Sequence, residues 1–335
     1  MIYTAAIIGV GRIGFTLGFD KKREQPASHT MALKQNKQIR LVAAADKDSE
    51  NLIKWHKYVK NGTTFTSSTE LYKSIHPDII TVAVNEDSHM EECIKAIESH
   101  PKLVILEKPV ALNSQEAQEI AECAQKNSIP VMVNHERRFS ADYITAKKYL
   151  PQIGTLQTIR GELYSGLRIY GEEFEKDGTY SLIHDGTHLV DLIQYILEDS
   201  LENPTVTGIY KDEKNIIRNF TATYTTPNCS QVQIVMSGRS KFFTFGIDIL
   251  GTEGRICIGN GYAKFYKRQE SKLYTGFYSL SKDKSVKLPK KTGYFSGMIQ
   301  NAVDFLDGTA DLKSPLSSAI QDLKVLEDIK NKLKI

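Results

Sequence analysis

The first 133 residues alternate short apolar runs with amphipathic stretches, and this alternation is the feature that most constrains the fold. The apolar runs are residues 5–10, 39–45, 79–84, 103–106 and 129–133. In the stretch between the last two runs, the apolar side chains recur at the spacing of one helical face. Strands that are apolar throughout are typical of parallel sheets covered on both faces by crossover helices. The pattern predicts a doubly wound α/β domain, with a parallel sheet, over residues 1–133.

The pattern changes after residue 134, where strand-like stretches dominate. These stretches are residues 155–164, 219–224, 231–236, 244–250 and 255–258. One apolar helix is expected at 181–197 and a closing amphipathic helix at 315–334. Successive strands joined by Gly, Pro and Asn turns favour an antiparallel sheet. We therefore expect a second, α+β domain over residues 134–335, and 335 residues suffice for two cores.

The charge balance excludes some classes of partner. The chain carries 43 Lys+Arg against 40 Asp+Glu, a net charge of +3, so no basic excess exists to neutralise nucleic-acid phosphates or a membrane surface. No apolar run approaches the ~20 residues of a membrane span, and the N-terminus lacks the basic region of a signal peptide. The 4 cysteines form no CxxC pair, which argues against a disulfide framework. We expect a cytoplasmic protein with a small-molecule partner, without nucleic-acid or membrane binding.

A glycine-rich segment follows the first predicted strand and is expected to open a helix. It reads Gly9-Val10-Gly11-Arg12-Ile13-Gly14. Glycines at this spacing permit a tight turn and a close approach of the backbone to a pyrophosphate, which the helix N-terminus also attracts. We predict that this loop, Arg12 and Ile13 included, binds a dinucleotide.

The acidic residue expected after the second strand of such a domain is Asp46. It lies 32 residues beyond Gly14, where ~20 are usual, and the excess indicates an insertion of about twelve residues between Phe15 and Ser28. A carboxylate here accepts hydrogen bonds from ribose hydroxyls and repels a 2′-phosphate, so NAD is expected in preference to NADP. The alternative is that Asp46 only caps a turn or a helix.

Lys108 follows the apolar run 103–106 within the tripeptide Glu107-Lys108-Pro109. Ligands of open α/β sheets bind at the carboxyl ends of the strands, which is where this lysine is expected. A lysine in a partly desolvated crevice suits proton exchange with an alcohol or a carbonyl. The alternative is a solvated lysine at the end of a strand.

Two histidines, His184 and His188, are four residues apart in the predicted helix 181–197, with Asp191 three residues further on. This spacing predicts one helical face, on which an imidazole serves as a base oriented by a neighbouring carboxylate. Such a pair also binds zinc, but no further ligand is evident in the sequence, so we predict no metal. Purely structural histidines are the remaining alternative.

Together, these segments resemble the Gfo/Idh/MocA family of glucose-fructose oxidoreductase and inositol dehydrogenase. Further matching segments are Arg137-Arg138-Phe139 and Gly251-Thr252-Glu253-Gly254. The resemblance implies a Rossmann domain followed by a domain with a large, mostly antiparallel sheet, and assembly into homodimers or homotetramers. It also implies an enzyme that transfers a hydride between nicotinamide and a carbinol carbon of a sugar, a cyclitol or a sugar nucleotide.

The resemblance also implies roles for individual residues. Lys108 would hydrogen-bond the reacting hydroxyl and His188 would take or return its proton, with His184 beside it. Glu136 and Arg137 fall at positions that contact substrate, and Asn85 and Glu107 at positions near the cofactor. The alternative function is a dinucleotide-binding regulator of the same fold without turnover.

Three features depart from the family pattern. His184 stands where many members carry an aspartate, and Val84-Asn85-Glu86 replaces a Thr-Pro-Asn segment. The third is the insertion, which contains Lys21-Lys22-Arg23. These three cations either bind an anionic substrate such as a sugar nucleotide or belong to a solvated surface loop.

Overall fold

The computed structural model describes residues 1–166 and 179–334, and the chain divides into two compact units. Unit 1 comprises Met1–Ser140 and Lys291–Leu323, and unit 2 comprises Ala141–Lys290 and Lys324–Ile335. The expected division was a single cut after residue 133, but the segment 291–323 packs with unit 1. The physical reason is an apolar helical face in that segment, on which Phe295 and Met298 are buried in the core of unit 1.

The strands, in chain order, are β1 (Tyr3–Ile8), β2 (Ile39–Ala45), β3 (Thr63–Phe65), β4 (Ile79–Val82), β5 (Leu103–Leu106), β6 (Val131–Val133), β7 (Leu156–Gly166), β8 (Thr205–Lys211), β9 (Ile217–Tyr224), β10 (Val232–Ser237), β11 (Arg239–Gly251), β12 (Gly254–Gly259), β13 (Tyr262–Glu270) and β14 (Tyr278–Lys282). The α-helices are α1 (His29–Gln35), α2 (Ser49–Val59), α3 (Ser68–Ser74), α4 (His89–Glu98), α5 (Ser114–Asn127), α6 (Ala141–Tyr149), α7 (Thr179–His184), α8 (Gly186–Leu197), α9 (Tyr294–Leu306) and α10 (Leu316–Leu333). Short 3-10 helices cover Thr16–Phe19, Glu86–Ser88, Glu136–Phe139 and Leu150–Ile153. No helix among the described residues is both long and apolar enough to cross a membrane.

Unit 1 contains a six-stranded parallel sheet in the order β3-β2-β1-β4-β5-β6. Successive residues of β1 point to opposite faces, so Ile7 enters a core with Trp55, while Ile8 enters a second core with Ile97. Apolar cores on both faces explain why the strands are apolar throughout. The predicted doubly wound sheet is confirmed, and its strand order reverses between β1 and β4, where such sheets bind ligands.

Unit 2 contains an eight-stranded sheet in the order β14-β13-β12-β11-β7-β10-β9-β8. Every neighbouring pair is antiparallel except β7 and β10. Helix α8 lies close against one face, because a Cβ at Gly161 would come within 2.9 Å of the Leu189 side chain. The predicted large, mostly antiparallel sheet is confirmed.

The helix expected over residues 181–197 is two helices. Helix α7 ends at His184, Asp185 is the N-cap of α8, and α8 begins at Gly186. Asp and Gly are poor residues for a helix interior, Asp because its side chain competes for backbone hydrogen bonds and Gly because of backbone entropy. His184 and His188 therefore lie on two successive helices, separated by one residue, Asp185, whose φ of −94° and ψ of −32° are still in the helical region.

Candidate active site

In the loop after β1, each of the three glycines is explained by a different structural feature. Gly9 has φ +88°, and a Cβ there would lie 2.5 Å from the carbonyl oxygen of Ala83. A Cβ at Gly14 would lie 2.1 Å from the carbonyl oxygen of Gly9. Nothing lies within 4 Å of a Cβ built on Gly11, which faces open space. Gly9 and Gly14 thus permit the turn, and Gly11 leaves its backbone open to a ligand.

The glycine loop begins a helix that the predicted insertion interrupts. The carbonyl of Ile13 accepts from the N–H of His29 at 3.1 Å, and that of Gly14 accepts from Thr30 at 2.9 Å. These partners are sixteen residues apart, whereas a continuous helix spaces them by four. Twelve residues are therefore looped out, which confirms the predicted insertion, and α1 continues the helix where the loop returns.

A cleft of about 510 Å³ opens at the carboxyl ends of β1, β2 and β4. Of the predicted cofactor residues, it is lined by Gly9, Gly11, Asp46 and Asn85. Hydroxyl side chains from the segment 66–69 line it as well. The other predicted cofactor residues, Arg12, Ile13, Gly14, Glu107 and Lys108, are not among the lining residues. Open backbone at Gly11, a carboxylate and several hydroxyls fit the pyrophosphate and ribose of a dinucleotide.

Asp46 supports the glycine loop directly. Its Oδ2 accepts from the N–H of Val10 at 2.7 Å, and its Oδ1 accepts from the N–H of Asp48 at 2.8 Å. The turn-capping alternative therefore describes part of what this side chain does. A carboxylate has about four lone-pair positions, so acceptor capacity for ribose hydroxyls remains beside the cleft.

A buried cluster that the sequence analysis missed surrounds Glu107. His29 Nε2 lies 2.5 Å from Glu107 Oε1, and the amide nitrogen of Asn134 lies 2.5 Å from the same oxygen. The backbone N–H of Lys108 donates to the other oxygen, Oε2, at 3.3 Å. The sequence signal for His29 is its place in the first turn of the helix that continues the glycine loop.

Burial disfavours the charged form of Glu107, yet its pKa is held below the usual value. The hydrogen bond and charge of His29, the amide of Asn134 and the charge of Lys108 together outweigh the burial. Glu107 is therefore a carboxylate at neutral pH, next to the lysine predicted to exchange a proton.

Glu136 lies close to this cluster, but its pKa is shifted in the opposite direction to that of Glu107. Burial raises its pKa, the charge of Glu107 raises it further, and the charges of Arg137 and Lys108 lower it. Tyr294, which the sequence analysis also missed, belongs to the same neighbourhood. Burial raises the pKa of Tyr294 to about 12, Glu136 acts in the same direction, and Arg23 and Arg137 act against it. Arg23 of the insertion and the predicted substrate residues Glu136 and Arg137 thus all lie within electrostatic range of Tyr294.

His89 joins the two loops on either side of this cluster. Its Nδ1 lies 2.6 Å from the carbonyl oxygen of Pro109, and its Nε2 lies 3.2 Å from that of Val84. Burial lowers the pKa of His89, although the Pro109 carbonyl and the charge of Glu107 favour the imidazolium. The Lys108–Pro109 peptide is cis. The loop that departs from the family pattern is thus held by a histidine rather than by a proline.

The predicted histidines belong to the other unit. Unit 2 holds both His184, at the end of α7, and His188, in the first turn of α8. Both are half-buried, and Asp191 on α8 is buried. Lys108 belongs to unit 1, so its meeting with His188 stays a prediction.

Four of the five curated relatives that match this chain are named oxidoreductases or dehydrogenases, and the fifth is named a hydratase. Residues 3–135 match the family model described as oxidoreductase family, NAD-binding Rossmann fold (Gfo/Idh/MocA). An uncharacterized oxidoreductase of Streptococcus pneumoniae is 30% identical over 152 residues, which are 43% of this chain and 40% of that protein. Glucose-6-phosphate 3-dehydrogenase of Bacillus subtilis is 25% identical over 191 residues, 53% of each chain. The alignments thus span about half or less of these curated relatives.

A solved structure extends the likeness in fold to the whole chain. It is an oxidoreductase from Agrobacterium radiobacter in complex with NAD+, L-tartaric acid and magnesium. Its TM-score is 0.77 at 18% identity, over 98% of this chain and 95% of that one. At this identity the likeness establishes the fold of both units and no more.

Proposed function

We propose that the chain is an NAD-dependent dehydrogenase acting on a CH–OH group of a carbohydrate-like substrate, and the premise is the match of residues 3–135 to the Gfo/Idh/MocA oxidoreductase family model. The observation that carries the proposal is the arrangement within unit 1. The glycine loop and Asp46 line one cleft, and Lys108 follows β5, whose neighbour in the sheet, β4, also ends at that cleft. A dinucleotide cleft and a lysine beside an ionised carboxylate are the parts such an enzyme needs in this unit.

NAD is the proposed cofactor, in preference to NADP. The bound cofactor supplies the hydride acceptor or donor of the reaction. The open backbone at Gly11 would take the pyrophosphate, and the remaining lone pairs of Asp46 would accept from the ribose hydroxyls. The same carboxylate would repel a 2′-phosphate, which is the physical reason for the preference.

The proton transfers are assigned to residues of this chain. The Lys108 ammonium would donate a hydrogen bond to the reacting oxygen, and the His188 imidazole would take the proton from that oxygen during oxidation. In reduction, His188 would return it. His184, in place of a carboxylate, would assist His188. Asn85 would lie near the nicotinamide and Glu136 near the substrate.

The proposed substrate is a sugar, cyclitol or sugar nucleotide that carries a negative group. Two cationic side chains, Arg23 and Arg137, lie within electrostatic range of Tyr294, together with the carboxylates of Glu24 and Glu136. Arg23 also pairs with Asp20 at 3.6 Å, so Arg137 and a re-oriented Arg23 are the cations that would meet an anionic group. The loop that carries Arg23 is fixed, because the Glu24 carboxylate accepts from the N–H groups of Thr292 and Gly293 at 2.7 and 2.6 Å. Similarity to glucose-6-phosphate 3-dehydrogenase, whose name gives a sugar phosphate as substrate, supports an anionic substrate.

Assembly through the unit 2 sheet is also proposed, as a homodimer or a homotetramer. One face of this sheet carries a cleft of about 480 Å³ lined by side chains of both charges, including Arg160, Glu162, Asp248 and Arg255. A face with both charges can complement a second copy of itself across a two-fold axis.

The test is turnover with NAD and with NADP on a panel of inositols, neutral sugars, sugar phosphates, sugar acids and sugar nucleotides. Turnover is monitored by the absorbance of NADH or NADPH. We expect NAD-dependent oxidation of an anionic member. Lys108→Ala should then lower kcat by ~100-fold or more, as loss of a proton-transfer group does. A loss below tenfold would contradict its role. NAD binding without turnover of any panel member would favour the regulator.

A further inference from the structure

Among the described residues, the strongest feature that the proposed chemistry leaves unused is His29. It is 0% exposed and lies against Glu107, which is 4% exposed. Its Nδ1 is buried without a hydrogen-bond partner, and its ring meets the Phe295 ring edge to face, with centroids 5.1 Å apart. The one strong hydrogen bond of this buried histidine is made to a buried carboxylate, which indicates that the histidine holds that carboxylate in place.

We propose that His29 is a positioning residue, which fixes the orientation and the negative charge of Glu107 beside Lys108 without touching the substrate. The inference rests on the proposed function only in assigning the proton-exchange role to Lys108. The arrangement itself is independent of that assignment, because His29, Glu107 and Asn134 all belong to unit 1.

The two carboxylate oxygens of Glu107 have different hydrogen-bond partners. Oε1 faces His29 Nε2 and the Asn134 amide, each at 2.5 Å, while Oε2 faces the backbone N–H of Lys108 at 3.3 Å. A carboxylate only accepts, so the proton of this contact lies on His29 Nε2. The side chain cannot rotate without losing both donors, and Oε2 therefore stays on the side of Lys108.

The charges around Glu107 make His29 the deciding group. The titratable groups that face it are His29 from α1, His89 from α4, its neighbour Lys108, and Glu136 from the segment after β6. Burial alone would raise the pKa of Glu107, and the His29 hydrogen bond is the largest influence in the opposite direction. Burial raises the pKa of Glu136 as well, so Glu107 is the more acidic of the two carboxylates near Lys108.

A glutamine can replace the donor and a leucine cannot, so His29→Gln and His29→Leu form the test pair. The glutamine amide reaches the position of Nε2, whereas Leu leaves Glu107 buried without its donor. Thr30→Val is the matched control. It removes the neighbouring buried hydrogen bond, from Trp55 Nε1 to the Thr30 hydroxyl at 3.0 Å, and leaves the Glu107 cluster intact.

Three readouts separate positioning from a merely structural role. We expect the Glu107 pKa, followed by carboxylate ¹³C NMR and assigned with Glu107→Gln, to rise by about one unit or more in His29→Leu. Acylation of Lys108 by acetic anhydride, read by peptide mass spectrometry, should change in rate by about threefold or more, because Glu107 no longer holds a fixed orientation beside the lysine. For an accepted substrate, kcat should fall by about tenfold or more while KM changes little, because a misplaced reactive group costs rate rather than binding.

His29→Gln should restore the Glu107 pKa to within about half a unit of the wild-type value and the two rates to within about threefold, and Thr30→Val should move none of the three readouts. An unmoved Glu107 titration in His29→Leu, or an equal effect of Thr30→Val, would overturn the proposal. Should His29→Leu fail to fold, His29→Asn takes its place, because its shorter amide does not reach the Nε2 position. The first two readouts need no turnover. If the wild-type protein oxidises no substrate, the proposed function is refuted, but these two readouts still test the role of His29.

Discussion

Glu107 and Glu136 are two carboxylates of one neighbourhood whose pKa values move in opposite directions. Burial acts on both in the same sense, and the difference arises from donors. Glu107 accepts hydrogen bonds from His29 and Asn134, which lower its pKa. For Glu136, the neighbouring charge of Glu107 raises the pKa in addition to burial. The unlike pair gives the site one ionised and one more easily protonated carboxylate, which no reading of the residue types alone would assign.

This difference predicts opposite effects on the pH dependence of stability. Glu107 has a folded pKa below its unfolded value, so its contribution is present above the unfolded pKa and is lost as pH falls through the folded one. Glu107→Gln should therefore flatten the loss of unfolding free energy in acid, by about 1.4 kcal/mol for each pH unit that separates the unfolded pKa from the folded one. Denaturant unfolding at pH 3 to 7 measures it.

Glu136→Gln serves as the companion variant with the opposite sign. The folded pKa of Glu136 is raised, so its contribution is complete below the unfolded pKa and disappears as pH rises through the folded pKa. Its removal should flatten the stability curve above about pH 4.3, the ordinary value for a glutamate. Equal slopes in both variants would show that the two environments do not differ.

Asp46 carries the prediction on cofactor choice. Asp46→Ala should reduce kcat/KM with NAD and increase relative use of NADP, because it removes both the ribose acceptor and the charge that repels a 2′-phosphate. The Asp46 oxygens also hold Val10 and Asp48, so some loss with both cofactors is expected. Asp46→Asn is the matched control, since it keeps an acceptor and removes only the charge. An unchanged NAD to NADP ratio in both variants would remove Asp46 from cofactor selection.

The insertion is the element that most distinguishes this Rossmann unit. It leaves the helix after Gly14 and returns at His29, in register with the interrupted hydrogen bonds. Loss of the twelve residues Leu17–Ser28 would therefore join Thr16 to His29 at the position that a continuous helix requires. Deletion of these twelve residues is therefore a variant without the insertion that keeps the helix in register.

We predict that deletion of residues 17–28 keeps NAD binding and raises KM for an anionic substrate by about tenfold or more, as loss of a charge-assisted contact would. The deletion also removes the Glu24 carboxylate from the N-terminus of α9, at a cost of about 1 kcal/mol. Arg23→Gln is the control that keeps this anchor. If Arg23→Gln leaves KM for the anionic substrate unchanged, the loop does not select charge. A neutral analogue should respond to neither change.

Element by element, the sequence predicts what depends on local pattern. The five apolar runs are strands, and the looped-out length followed from the distance between Gly14 and Asp46. The break at Asp185 was missed, because residues 181–197 keep an apolar helical pattern through it. His29, Asn134 and Tyr294 were missed because their roles arise from contacts between segments distant in sequence.

At the scale of the whole molecule, the return of residues 291–323 to unit 1 could not be read from the sequence. Helix α9 is amphipathic and would satisfy the core of either unit, so periodicity does not decide its partner. Its packing places Phe295 on His29 and Tyr294 near Arg23 and Arg137. The site of unit 1 is thus completed by a segment that comes after all of the sheet of unit 2.

The last prediction concerns assembly through the unit 2 sheet. Eight strands about 4.8 Å apart make a face roughly 35 Å wide, enough for the ~800 Å² that a stable interface takes from each partner. On this face Arg255 Nε donates to both oxygens of Asp248, at 2.9 and 3.1 Å. Arg255→Glu would set two carboxylates together on each copy, and four across a two-fold axis.

We therefore expect Arg255→Glu to shift the protein toward monomer in sedimentation velocity over a dilution series, while the wild type stays dimeric or tetrameric. Lys57→Glu, a charge reversal at an exposed position of α2 in unit 1, is the control and should leave the mass unchanged. A monomeric wild type would refute assembly itself. An Arg255→Glu protein with the wild-type mass would place the interface elsewhere, because like charges across a buried interface cost several kcal/mol.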